Sequence, residues 1–146
     1  MLISVITVTY NSEKTILDCI DSVSLQTYEN IEHIIIDGKS SDNTIKKIKS
    51  ITNSRIKKII SEKDNGIYHA MNKGLEIANG DIVGFLNSDD KFYSKFVVEK
   101  IIKSFEKNKQ IMCCYGNLKY LRDKKTIRTW RSKKFKKGLF ESITKS

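Results

Sequence analysis

The sequence predicts an α/β fold, a mostly parallel central sheet with helices on both faces. Short β-branched runs alternate with longer segments of helical period four times in succession, the pattern of strand–helix–strand units. A polar residue able to turn the chain or hold a ligand, Asn11, Asp37, Asp64 or Asp89, stands shortly after each run. At 146 residues the chain is about one domain, long enough to bury a core.

Residues 2–9 alternate and are rich in β-branched side chains, which reads as a first strand. Asn11 or Ser12 then caps a helix over about 13–26, with Ile16, Leu17, Ile20, Val23 and Leu25 on its apolar face. Residues 31–36 form a second strand ending in Asp37-Gly38. Ser41-Asp42-Asn43-Thr44 opens a helix to about residue 52, with Ile45, Ile48 and Ile51 three apart. A third strand covers 55–61, and a third helix covers 66–78 and stops at Asn79-Gly80. Residues 82–86 are a short apolar run that reads as a buried strand. A helix over 94–107 carries Phe96, Val97, Ile101, Ile102 and Phe105. Strands are expected at 110–115, 117–122 and 126–131, the last two joined by a turn at Asp123-Lys124-Lys125. No internal repeat or low-complexity linker interrupts this order.

In a parallel sheet the carboxyl ends of all strands share one edge, where such folds hold ligands. Asn11, Asp37, Asp64 and the Asp89-Asp90 pair should therefore converge on one crevice. Two adjacent carboxylates repel unless a cation lies between them and something anionic. That chemistry points to a divalent metal bridging to a phosphate-bearing substrate. Duller roles exist for each residue. Asp89 or Asp90 could cap the next helix, Asp37 and Asp42 could be turn and cap residues, and Asn11 could be an N-cap. His69 reads as a packed or surface histidine, and Tyr68 and Met71 read as core.

The motifs are Thr7-Val8-Thr9-Tyr10-Asn11, Asp37-Gly38-Lys39-Ser40-Ser41-Asp42-Asn43-Thr44, the run from Ser61 to Gly74, and Leu86-Asn87-Ser88-Asp89-Asp90. In order and spacing they resemble the nucleotide-binding half of the inverting family 2 glycosyltransferases, which have the GT-A fold, in particular bacterial enzymes of surface-polysaccharide assembly. The resemblance implies a nucleotide-diphosphate sugar donor, foremost a UDP-sugar, and Mn²⁺ or Mg²⁺ as cofactor. It also implies transfer with inversion to a saccharide or lipid-linked acceptor. By position, Thr9, Tyr10 and Asn11 would line the base and ribose pocket, and Asp37 would accept a hydrogen bond from the base edge. Asp64, Asn65 and Gly66 would border the nucleotide and donor sugar. Asn87 and Ser88 would complete the nucleotide-facing loop, with Asp89 and then Asp90 as metal ligands.

Two positions depart from the family pattern. Asn87 stands where the metal motif usually has its first acid. After residue 131 the chain does not continue as an acceptor-binding half, so no general base is assigned. Residues 1–131 are accordingly read as the nucleotide-sugar-binding domain and 132–146 as a basic tail. The alternative function is a truncated nucleotide-sugar-binding protein without transferase activity.

The formal net charge of +10 is uneven: residues 1–90 sum to −3 and residues 91–146 to +13. A basic run with Trp130 and Phe135 in it suits a solvated surface or peripheral contact with anionic membrane at its inner face. Nucleic acid is excluded as a partner because it would leave the acidic strand ends without a role. No apolar run approaches the ~20 residues that span a bilayer. Residues 1–9 read as a strand and not as a leader peptide. Cys19, Cys113 and Cys114 are an odd set without metal-ligand spacing, as in free thiols of a reducing compartment. A cytoplasmic location is the expectation.

Overall fold

The computed structural model describes residues 1–122 and 125–132. It divides into two compact units, residues 1–107 and residues from 108 onward.

The first unit alternates strand and helix throughout: β1 (Ile3–Thr9), α1 (Ile16–Ser24), β2 (Ile31–Asp37), α2 (Thr44–Lys49), β3 (Ile56–Ser61), α3 (Ile67–Ile77), β4 (Ile82–Phe85) and α4 (Val97–Lys107). Its sheet has the order β3-β2-β1-β4 with every pairing parallel. β1 and β2 are buried along their whole length, as near-continuous isoleucine and valine runs in a helix-covered parallel sheet should be.

The register Val5↔His33 and Ile6↔Ile34 sorts side chains between two faces. Ile3, Val5 and Ile31 meet Cys19 and Val23 of α1 and Val98 and Ile102 of α4, while Ile35 meets Ile16 and Ile20 of α1 and Ile48 of α2. On the opposite face Ile6, Val8, Ile34 and Ile36 pack against Ala70 of α3. Gly74 lets α3 approach closely, since a Cβ there would lie 2.5 Å from Ile6 Cγ2. Each fully buried Ile contributes roughly 1.5–3 kcal/mol relative to an exposed one.

Several sequence expectations are corrected. α1 begins at Ile16, not residue 13, because the chain after β1 makes a longer loop; its N-cap is Thr15, and neither Asn11 nor Ser12 caps it. Leu17 and Leu25 are exposed rather than on the buried face, which consists of Ile16, Cys19, Ile20 and Val23. Tyr68 is exposed, not core, because α3 turns only Ala70 and Gly74 fully inward. β4 is an edge strand with Val83 and Phe85 exposed, so its apolar run does not mark a strand covered on both sides. Residues 110–115 form no strand. The second unit contains one antiparallel hairpin, β5 (Leu118–Arg122) with β6 (Lys125–Trp130), as expected from its two alternating runs. The first two residues of the expected turn, Asp123-Lys124, and the tail residues from 133 lie outside the described residues. Among the described residues no helix is long and apolar enough to cross a membrane.

Candidate donor-binding crevice

The chain runs outward from β1 through β2 to β3 on one side of the sheet, then returns to place β4 on the other side of β1. The direction of strand addition thus reverses at β1, and open α/β sheets bind ligands beyond the carboxyl ends of the strands at such a switch point. An open crevice of about 1020 Å³ lies there, walled by Thr9, Tyr10 and Asn11 after β1, Gly38 and Asp42 after β2, Lys63, Asp64 and Gly66 after β3, and Asn87, Ser88 and Asp89 after β4. Of the expected site residues, eight thus meet in one wall. Asp37, Asn65 and Asp90 do not line it.

The loops after β1 and β2 are held together by polar side chains. Asn11 has a left-handed backbone, φ 49°, which asparagine tolerates better than most residues. In that conformation its N–H donates to Ser40 Oγ at 2.8 Å and its Oδ1 accepts from the Ser41 N–H at 2.8 Å. The Ser12 N–H donates to Thr44 Oγ1 at 2.8 Å, and the Glu13 N–H to Asp42 Oδ2 at 3.1 Å. Asp42 in turn takes both the N–H and the hydroxyl of Thr44. Desolvation raises the Asp42 pKa, but these hydrogen bonds outweigh it and hold the carboxyl below its ordinary range. Across the crevice, the Ser12 and Ser88 hydroxyls are 2.8 Å apart and join the loop after β1 to the loop after β4.

Asp37 does not line the crevice. It is fully buried, and its carboxylate accepts hydrogen bonds from the Ser40 N–H, the Ser40 hydroxyl and the Ser61 hydroxyl. In this arrangement it fastens the end of β2 to the end of β3. Asp64 stands in the wall: a Cβ on Gly38 would lie 2.7 Å from Asp64 Oδ2. What a side chain at 38 would disturb is that close approach and not a positive φ, unlike Gly66, whose φ is 107°. The Gly66 N–H donates to Asp64 Oδ1 at 2.9 Å, and the Asn65 N–H donates to His69 Nδ1 at 3.0 Å. His69 thus closes the turn before α3. Lys73 of α3 reaches back to Glu62 at 2.7 Å and to the Lys63 carbonyl at 3.2 Å, fixing the loop that presents Asp64.

At the fourth strand end, Asp90 N–H donates to the Asn87 carbonyl at 3.0 Å, so Asn87 to Asp90 form a tight turn. Asn87 Nδ2 is 3.4 Å from Asp90 Oδ2. Burial, and next the charge of Asp89, push the Asp90 carboxyl above its ordinary range. The turn rests on α1, where Cys19 Sγ lies 3.4 Å from the Asn87 carbonyl. Burial pushes the Cys19 thiol up to about 11, with the charges of Asp90 and Asp89 adding to it, so it packs as a neutral thiol. Two buried oxygens associated with the crevice wall, Thr9 Oγ1 and Asn87 Oδ1, have no hydrogen-bond partner in the protein. Unpartnered buried polar atoms are rare, and at a crevice they suit a ligand. Among the described residues no three His, Cys, Asp or Glu side chains gather as a metal cluster.

Sequence reasoning missed Ser12, Glu13, Lys14 and Lys63 as wall residues. Ser12 and Glu13 were hidden by the expectation that the helix starts at 13. Lys63 stands next to Asp64, and a cation adjoining an acid at a strand end was the available signal.

A family model described as Glycosyl transferase family 2 matches residues 4–145. The chain belongs to that family. Among its curated relatives is an Escherichia coli protein, the UDP-Glc:alpha-D-GlcNAc-diphosphoundecaprenol beta-1,3-glucosyltransferase WfgD. It is 36% identical over 126 residues, covering 86% of this chain and 49% of the relative. A second E. coli glucosyltransferase, WfaP, is 36% identical over 80% of this chain and 45% of its own length. The chain therefore spans about half the length of these relatives. Among solved structures, S. aureus TarS 1-349 in complex with UDP-GlcNAc superposes with a TM-score of 0.67 at 28% identity, over 73% of this chain and 32% of that one. The mannosyltransferase PcManGT of Pyrobaculum calidifontis, in complex with GDP-Man and Mn2+, gives 0.66 at 25% identity, over 70% and 32%. The fold of this family 2 chain is accordingly GT-A, with its parallel sheet and switch-point crevice.

Proposed function

We propose that this chain binds a nucleotide-diphosphate sugar, foremost a UDP-sugar, for inverting transfer to a saccharide or lipid-linked acceptor in cell-surface polysaccharide biosynthesis. One observation carries the reading: loops from four parallel strands close a single crevice at the switch point, with two buried oxygens there left for a ligand. The names of the relatives support the donor and acceptor classes, since one transfers glucose from UDP-Glc to a diphosphoundecaprenol-linked GlcNAc and TarS was solved with UDP-GlcNAc.

In this reading Tyr10, 63% exposed at the crevice mouth, offers its ring to the base. Thr9 Oγ1 and Asn11 face the nucleoside, and Asp64 and the Gly66 backbone border the diphosphate and sugar. Lys14 and Lys63 place positive charge in the same wall. Asp37 ties the loop after β2 to the end of β3 through Ser40 and Ser61, and its carboxylate keeps acceptor capacity for the base edge. For the cation, Asp89 and the unpartnered Asn87 Oδ1 are hard oxygen donors that fit Mn²⁺ or Mg²⁺, and few protein ligands suffice where phosphate supplies others. When bound, such an ion neutralises negative charge as it develops on the departing diphosphate. Asp90, already paired with Asn87 and partly desolvated, tunes that turn from behind.

Inversion requires a base to take the proton of the attacking acceptor hydroxyl. Asp42 and Asp64 are engaged in loop hydrogen bonds, and the Asn43 N–H and side-chain amide both donate to Glu13 Oε2. Donor binding is thus the step these residues account for, which keeps a nucleotide-sugar-binding protein without transferase activity as the second reading. The location that goes with either is the cytoplasm, at the inner face of the membrane that holds a lipid-linked acceptor.

Calorimetric titration of UDP and GDP, with and without Mn²⁺, tests the site on wild type and Asp89→Ala. UDP should bind, Mn²⁺ should tighten it, and Asp89→Ala should weaken the metal-dependent affinity about tenfold or more, equivalent to ~1.4 kcal/mol. A UDP affinity indifferent to both the ion and the substitution would sink the metal-assisted reading. Release of UDP from a UDP-sugar in the presence of acceptor separates the transferase from the binding protein.

A further inference from the structure

We infer that one face of the β5–β6 hairpin docks on a membrane surface rich in anionic lipid headgroups. The register pairs Leu118 with Trp130, Tyr120 with Arg128 and, past a bulge that leaves Ile127 without a partner in the ladder, Arg122 with Lys125. Opposed residues of an antiparallel pair share a face. The Arg128 guanidinium carbon lies 5.7 Å from the Tyr120 ring centre, which bears this out for the middle pair. The face is therefore graded along the strands. Leu118 and Trp130 form an apolar end, 53% and 42% exposed; Tyr120 beneath Arg128 comes next, 47% exposed; Arg122 and Lys125 form a cationic end.

Tryptophan and tyrosine with an apolar body and a polar tip favour the boundary between headgroups and acyl chains. Cations beside them are drawn to an anionic leaflet. Charge complementarity decides among occupants: residues 108–132 hold seven Lys or Arg and a single acid, Asp123. A second copy of this face would bring like charges together. Nucleic acid would use the cations and the rings but would leave Leu118 with nothing to pack on. Among the described residues β5 and β6 pair only with each other, and a two-stranded ribbon with this much exposed apolar surface is marginal in water unless an apolar boundary covers it. The inference adds to the donor-binding reading without resting on it, since it requires neither nucleotide nor metal.

Trp130 is the only tryptophan in the chain, so its fluorescence reports this face in the unaltered protein. The probe is vesicles of phosphatidylglycerol with phosphatidylcholine, of phosphatidylcholine alone, and of the anionic mixture brominated along its acyl chains. With anionic vesicles at low salt the emission should shift to the blue and be quenched by the bromine. Partition should fall at least about tenfold at high salt, where exposed charges are screened. It should fall about 25-fold or more in an Arg122→Glu, Arg128→Glu double variant, at about 1 kcal/mol or fivefold per basic residue removed. Trp130 emission unmoved by anionic vesicles overturns the inference, whether or not the protein floats with them. So does equal binding to phosphatidylcholine alone, or a shift produced by RNA or by protein concentration and not by vesicles. The wild-type emission decides even where the charge-reversed variant misfolds. Failure here leaves UDP binding by residues 9–89 untouched, so the two readings fall separately.

Discussion

Gly38 shows how much one hydrogen atom in place of a methyl group decides. Its missing Cβ leaves room for the Asp64 carboxylate, whose Oδ2 would lie only 2.7 Å from that carbon. In Gly38→Ala the carboxylate must swing away, and because it is the end of a short side chain near solvent the move costs little stability, under ~1 kcal/mol. The nucleotide affinity should nevertheless drop several-fold, since Asp64 leaves its place in the wall. Calorimetry beside a thermal melt checks this, and a large loss of melting temperature with unchanged UDP affinity would count against it. Asp37 teaches the converse. Its position at a strand end was visible in the sequence, but the serines its carboxylate accepts from, Ser40 and Ser61, lie 3 and 24 residues away and reach it only through the fold.

Among the elements, α3 depends on a conflict of two effects at Gly74. Replacing glycine by alanine inside a helix favours the helix by up to ~1 kcal/mol. Here the new Cβ would sit 2.5 Å from Ile6 Cγ2, on a side chain with no exposed surface, and overpacking of that kind costs about 1–3 kcal/mol. Packing should win. Gly74→Ala is expected to destabilise the protein by about 1–2 kcal/mol in urea unfolding; a stabilised variant would show that α3 stands further from β1. The apolar spacing of α3 could not reveal this, because a helical period gives the buried stripe and not the distance to the sheet. The same blindness placed β4 in the interior. A short apolar run looks identical on a covered strand and on an edge, and strand order is a long-range property. At 110–115 an apolar run found no strand partner among the described residues, and β propensity alone does not make a ladder.

For the whole molecule, pH acts through a histidine locked in the sheet. His33 has no exposed surface, its Nε2 lies 2.9 Å from Thr7 Oγ1, and its Nδ1 has no partner. Thr7 Oγ1 also contacts the Cys19 thiol at 3.7 Å. Burial pushes the His33 pKa down to about 4 from 6.5. Between these values the unfolded chain binds a proton that the native one refuses. Stability is then complete above about pH 6.5 and falls as the pH drops toward 4, by roughly 3 kcal/mol if the full shift is expressed. Urea unfolding at pH 7 and pH 5 should show the decline, and His33→Gln should flatten it over that interval. A wild-type stability constant from pH 7 to 5 would remove the buried neutral histidine from the account.

Across all scales, the amino-acid order by itself determined what local chemistry can encode. Eight of the elements in the first unit, their alternation, the parallel sheet and the glycosyltransferase family were readable from β-branched runs, helical periods and motifs after the strands. So was the shared edge, because parallel strands must end together. Tertiary structure alone decided which polar residues look into the crevice and which hold it up. Thr9, Asn11, Asp64 and Asp89 stand in the wall, while Asp37 is buried and accepts hydrogen bonds from Ser40 and Ser61. The reason is that a strand end fixes a residue's height in the sheet, whereas its hydrogen-bond partners arrive from loops distant in sequence and are set only once those loops meet.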